Sequence, residues 1–219
     1  MKVEPISDKK PTAMVWLRND LRARDQKSFA LAIKSGLKVM AYYTFDPQQF
    51  KTTKWGFKKT DAYRAKFLIE TLTELKKTLN DLNISLIVDN IEPTTGIVNW
   101  VKNLNVKEIY FQKEWTQEER LVEDKLRFNL DSEINFHSNY DQFLFHPEDI
   151  SFELNELPEI FTQFRKQCEK NCFVRKLSEE ISPLSKENLL DQSFSIPTLI
   201  DLGLEIKKSN PNSAFPFRG

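Results

Sequence analysis

"TAMVWLRNDLRARDQKSFALAIKSGLKVMAYYTF", Thr12 to Phe45, decides the fold. It opens on "TAMVWL", a short apolar run of strand length, and closes on "LKVMAYYTF", a second run that is nearly all apolar. Between them Phe29, Ala32 and Ile33 recur at helical spacing. Asp25 is placed to cap this helix and Gly36 to end it. Strands apolar on both faces belong to parallel sheets covered by helices, so this unit predicts the start of an α/β sandwich.

The alternation continues outward. "DPQQFKTTKWGFKKT" is a turn-rich loop of the kind that carries function. Thr60 is expected to cap a longer helix with Ala65, Leu68, Leu72, Leu75 and Leu79 on one stripe. "ISLIV" reads as a strand, "TTGIVNWVKNL" as a helix, "VKEIYF" as a strand and "EINFH" as the last strand. "TQEERLVEDKL" opens on a capping-box pattern, Thr116 with Glu119. The expected architecture is a three-layer, Rossmann-like α/β sandwich around a five-stranded, mostly parallel sheet, over residues 12–137. Residues 138–219 read as a connector with one helix, Glu159 to Ser182. Pro183, Pro197, Pro211 and Pro216 punctuate its tail, which is either a linker or a segment that wraps a neighbour.

Composition narrows the function classes. The formal net charge is 0, so the chain as a whole is neither a polybasic nucleic-acid binder nor an acidic tail. The balance hides local contrast: Lys51 to Lys66 holds six Lys or Arg and one acid, whereas Phe128 to Phe164 holds eight acids and no Lys or Arg. Such an acidic segment should face water, intramolecular partners or a basic domain rather than phosphates. Cys168 and Cys172, one helical turn apart, read as reduced thiols. The N-terminus lacks an apolar signal core, and no apolar run is long enough for a membrane span. A cytoplasmic location is the expectation.

The glycine-rich dinucleotide fingerprint is absent after the first strand, where "WLRNDLRARD" stands. There is no Walker sequence, and His137 and His146 sit in no metal or nucleophile motif. Three polar features remain at the carboxyl ends of strands, where open α/β sheets hold ligands. The first is the turn Arg18, Asn19, Asp20, which serves either a ligand or loop-pinning salt bridges. The second is the loop with Phe50 and Trp55. The third is Glu114, which follows the fourth strand in "FQKEWTQEERL". A carboxylate there can accept paired N–H bonds from a heterocyclic amine, or be a solvated acid near a helix start.

The stretches "VWLRNDLRARD", "YYTFDPQQF", "WGFKKTDAYRAKFLIETLTELKKTL", "EWTQEERLVEDKL", "LPEIFTQFRKQCE" and "NPNSAFPFRG" resemble, in order and spacing, the N-terminal half of the photolyase/cryptochrome family, and most of all its DASH-type members. The resemblance implies an α/β domain joined by a long connector to a helical domain. That helical domain would bind FAD, contact damaged DNA and repair cyclobutane pyrimidine dimers under blue light. It would follow the final "FRG", so the chain is expected to be a piece of a longer protein, inactive alone as a deoxyribodipyrimidine photo-lyase. A cryptochrome-like photoreceptor whose domain is structural or partner-binding is the alternative. The resemblance also implies methenyltetrahydrofolate as antenna, with Glu114 bonding its pterin ring; the strand-end argument puts Phe50, Trp55, Arg18, Asn19 and Asp20 near the same face. Without the helical partner the apolar connector is expected to self-associate. One departure stands out: "YDQFLFH", Tyr140 to His146, carries Tyr and Phe where DASH members carry Trp and Thr.

Overall fold

The computed structural model describes residues 10–130 and 132–205. The "NPNSAFPFRG" stretch, with Pro211 and Pro216, lies outside them. Five strands form one sheet: β1 (Thr12–Trp16), β2 (Lys38–Thr44), β3 (Ser85–Asp89), β4 (Val106–Gln112) and β5 (Asn135–Asn139). Their order is β3-β2-β1-β4-β5, and every pairing is parallel. The helices are α1 (Lys27–Lys34), α2 (Pro47–Phe50), α3 (Ala62–Asp81), α4 (Pro93–Asn103), α5 (Gln117–Asn129) and α6 (Phe161–Asn171).

Strand alternation sorts the core into two layers. Ala13, Val15, Val39, Ala41, Leu86 and Val88 face α1 and α3, whose Phe29, Ala32, Leu72 and Leu79 complete one cluster. Met14, Trp16, Met40, Tyr42, Ile87, Ile109 and Phe111 face α4 and α5 with Ile97, Trp100 and Leu126. This is the expected three-layer sandwich, with helices covering both faces.

Several local boundaries differ from the sequence reading. Asp25 does not cap α1; it adopts a left-handed φ of 48°, and Gln26 is the cap, accepting from Ser28 N. Asp25 instead accepts the Ser178 backbone N–H at 2.7 Å. Asp61, not Thr60, caps α3 through Ala62 N. The last strand runs two residues further than "EINFH", because Asn139 continues the ladder beside Gln112. The connector helix ends at Asn171 rather than Ser182: of its stripe only Cys168 is buried, and Cys172 is already extended. Too little apolar contact supports further turns.

The connector wraps its own domain. Asn188 presents its amide to both backbone groups of Val39, accepting from N at 2.7 Å and donating to O at 2.9 Å, at the edge that β3 leaves open. The same amide donates to Asn83 O, and Ser85 Oγ accepts Leu190 N. Leu202 and Leu204 enter the α1–α3 layer, while Leu190 joins the α4–α5 layer.

Gly96 on α4 lies against the buried ring of Tyr42, and a Cβ there would overlap the Tyr42 hydroxyl and sit 2.9 Å from Ile91 Cγ2. Alanine gains about 1 kcal/mol of helix propensity, but overpacking costs about 1–3 kcal/mol. Gly96→Ala is therefore expected to lower the urea midpoint, and adding Tyr42→Phe to restore part of the loss.

Candidate functional site

The crossovers reverse direction once. From β1 the chain moves through β2 to β3 by way of α1 and α3, then returns across the sheet by way of α4 to β4 and α5 to β5. The carboxyl ends of β1 and β4 are therefore adjacent with their following loops diverging, which opens a crevice. Arg18–Asp20 leave β1 there, and Glu114 leaves β4.

Asn19 joins the two loops. Its amide donates to Glu114 Oε1 and to Glu119 Oε1, each at 3.1 Å. Gln112 Nε2 also donates to Glu114 Oε1, at 3.3 Å. Oε2 takes none of the hydrogen bonds that the described residues give Glu114. At 7% exposure Glu114 is not a solvated surface acid. Burial raises its pKa, the Glu119 charge adds to the rise, and the Arg18 charge, Asn19 and Gln112 oppose it.

Arg18 lies along Trp16, its guanidinium carbon 4.6 Å from the ring centre, and donates from Nη2 to Glu119 O at 2.9 Å. Its Nη1 is buried with no hydrogen-bond partner. Asp20 turns inward. It accepts Arg18 N at 2.8 Å and Gln26 Nε2 at 2.6 Å, and Gln26 in turn caps α1. Burial raises its pKa despite those donors. Asp20 thus sets the loop and helix start behind the crevice rather than its surface. Arg22 is paired with Asp141 at 2.8 Å. The loop-pinning role of this motif is present in the structure.

The crevice holds about 520 Å³ and is walled by Arg18, Asn19, Phe45, Phe50, Arg64 and Glu119. That volume suits a compact organic ligand. Glu114 stands just behind this wall, joined to it through Asn19. Trp55 lies outside the wall, 72% exposed on the loop after α2. The next residue, Trp115, stacks on Tyr140 at 5.1 Å and meets Phe143 at 5.5 Å. The divergent Tyr140 therefore has a defined packing role. Sequence reasoning missed Glu119 and Phe45 as groups of the wall and Gln112 as a partner of Glu114; Glu119 was legible only as a cap, Phe45 read as strand, and Gln112 fell just after the expected strand.

The DNA photolyase family matches residues 13–184 of the chain. The chain belongs to this family. A Cryptochrome DASH of Gloeobacter violaceus is 34% identical over 209 residues, covering 95% of this chain and 42% of that protein. Another, from Synechocystis, is 40% identical over 161 residues, covering 73% of this chain and 33% of that protein. The chain thus spans under half the length of these curated relatives, at their N-terminal part. The crystal structure of a Synechocystis cryptochrome superposes with a TM-score of 0.82 at 33% identity, over 95% of this chain and 43% of that one. An archaeal photolyase from Sulfolobus tokodaii, described with two FAD molecules and a novel light-harvesting cofactor, shares the fold at a TM-score of 0.65 and 22% identity, over 78% and 37% of the two chains. The photolyase-type domain is thus similar to that of DASH cryptochromes. Among the described residues no helix is long and apolar enough to cross a membrane, and no cluster of His, Cys, Asp or Glu is placed to hold a metal ion.

Because the fold raises the Glu114 pKa, the native state binds that proton more tightly than the unfolded chain. Ionising it costs stability, and the cost grows as pH rises from the unfolded value near ~4 through the higher folded value. Wild type should therefore lose stability relative to Glu114→Gln as pH rises above about 4 in urea titrations. A difference that does not change with pH would contradict the burial argument.

Proposed function

We propose that this chain is the antenna half of a blue-light-driven DNA photolyase or cryptochrome, holding a pterin-type chromophore, methenyltetrahydrofolate, at the β1–β4 crevice. The observation that carries the reading is the Asn19–Glu114 bond. It fixes one carboxylate oxygen and leaves the other to accept an N–H of a pterin edge. Arg18 Nη1, buried and unpartnered, supplies a donor for a ligand oxygen or carboxylate. Phe50 forms an apolar wall, and Asp20 acts as a positioning residue through the Arg18 backbone.

When bound, the chromophore would supply light absorption and pass excitation to a flavin. This chain's residues bind and orient; none is assigned a bond-making role. FAD, damaged DNA and repair of cyclobutane pyrimidine dimers belong, in this reading, to a helical domain docked on the connector. The free Cys168 and Cys172 suit a reducing, cytoplasmic setting. Phe161, Phe173, Val174 and Leu177 are exposed along the connector. Without a helical partner they should promote self-association, seen as apparent mass rising with concentration in light scattering. A second reading, a supporting domain without antenna, draws on the fact that protein amides already occupy Glu114 Oε1.

Titration with methenyltetrahydrofolate, followed by absorbance and fluorescence, tests the proposal. Saturable binding by wild type, at least tenfold weaker in Glu114→Gln, is expected; losing charged acceptor bonds of about 1.5–3 kcal/mol accounts for that factor. Binding should also weaken as pH falls and Glu114 protonates. Equal affinity in both proteins would remove Glu114 from the site.

A further inference from the structure

The two cysteines straddle a helix end. In a helix continued to Ser182 both would be helical, with bond vectors poor for a disulfide. α6 stops at Asn171 instead, between them. Cys168 is helical and 1% exposed. Cys172 is extended, at φ −100° and ψ 152°, and half-buried. Its N–H still donates to Cys168 O at 2.8 Å, which keeps the two residues one turn apart. The thiols are hydrogen-bonded to each other. Phe173 and Val174, the next two side chains, are exposed and pack too little to hold Cys172 in place. Among the described residues the next polar anchor is Arg175, which bonds Asp149 at 2.6 Å. Cys172 is therefore free of helical geometry and has slack on its C-terminal side. Lys166, Lys170 and Lys176 make no ion pair with any described residue, so the surroundings favour an anionic reagent.

We propose that this pair is a thiol-exchange site for small anionic disulfides, with Cys172 as the attacking sulfur and Cys168 as the resolving one. Cys172 takes the first step because a reagent can reach it. Its thiolate bonds one sulfur of the small disulfide and expels a small thiol. Cys168 is shielded from reagent but touches the Cys172 sulfur, which places it for the second step. It gives up its proton, bonds Cys172 Sγ and expels the second small thiol. The protein loses two electrons and two protons, and the small disulfide gains both as two thiols. Burial, with the Cys172 contact, pushes the Cys168 thiol up, so it holds its proton until the second step. The product closes a short ring at the end of α6, a reversible modification of the connector. The site shares no residue with the crevice and does not depend on the reading proposed for it.

The test incubates this chain with excess glutathione disulfide, quenches in acid and reads intact mass. Wild type should lose two hydrogens and keep no adduct. Trypsin cuts after Lys170, between the cysteines, so a non-reducing digest should show Gln167–Lys170 joined to Asn171–Arg175. Excess dithiothreitol should restore the starting mass. Cys168→Ala should instead retain one glutathione on Cys172, and Cys172→Ser should react about tenfold more slowly, since its remaining thiol is buried. Circular dichroism melts check that both variants fold; the joined peptides are read on wild type and stand without them. A lasting adduct on wild-type Cys172 with the peptides unjoined would overturn the inference. So would no reaction, disulfide-linked dimers in place of the intrachain bond, or equal rates for wild type and Cys172→Ser.

Discussion

A parallel sheet covered on both faces has no wet side, so its polar business is confined to strand ends. In this domain that constraint falls hardest between β1 and β4, where the crossovers change direction and two loops must part. Asn19 closes the gap with one amide shared between Glu114 and Glu119. Around that bond the local structure is consistent: Asp20 holds the Arg18 backbone and the cap of α1, and Asn139 donates to Ser28 Oγ and Phe111 O behind them. The buried carboxyl of Asp20 and the half-buried one of Asp141 both have raised pKa values, chiefly from desolvation. The protein tolerates desolvated acids here because backbone and amide donors surround them.

Much of the fold was legible because apolar period and strand length agree along Thr12 to His137. "LKVMAYYTF" could hardly be anything but a buried strand, and the Leu72, Leu75, Leu79 stripe could hardly face water. The errors are local and have physical causes. Asp25 has the chemistry of a cap, but the backbone there turns left-handed and the next residue, Gln26, takes the role. The Phe161, Phe164, Cys168, Cys172 stripe has helical period without enough buried area to extend the helix. Glu114 and Arg18 were visible as polar residues at strand ends. Their partners Gln112 and Glu119 were not, since a strand glutamine and a capping glutamate carry no ligand signal in one dimension.

The connector was the least legible part. Its prolines and weak period allow either a free linker or a wrapping strap. Asn188 decides locally, because it satisfies Val39's backbone N–H and C=O where β3 falls short. That contact, with Leu202 and Leu204 in one layer and Leu190 in the other, ties connector and sandwich together. Its outward side exposes Phe161, Phe173, Val174 and Leu177 among charged side chains.

The central claim is that Glu114 is a ligand carboxylate held ready by Asn19. The most direct measurement is the ¹³C resonance of the Glu114 carboxyl in glutamate-labelled protein, assigned by its absence in Glu114→Gln and followed through addition of methenyltetrahydrofolate. The account predicts a saturable shift of that resonance, tracking the chromophore's own spectral change. A carboxyl signal unmoved at saturating chromophore would contradict it.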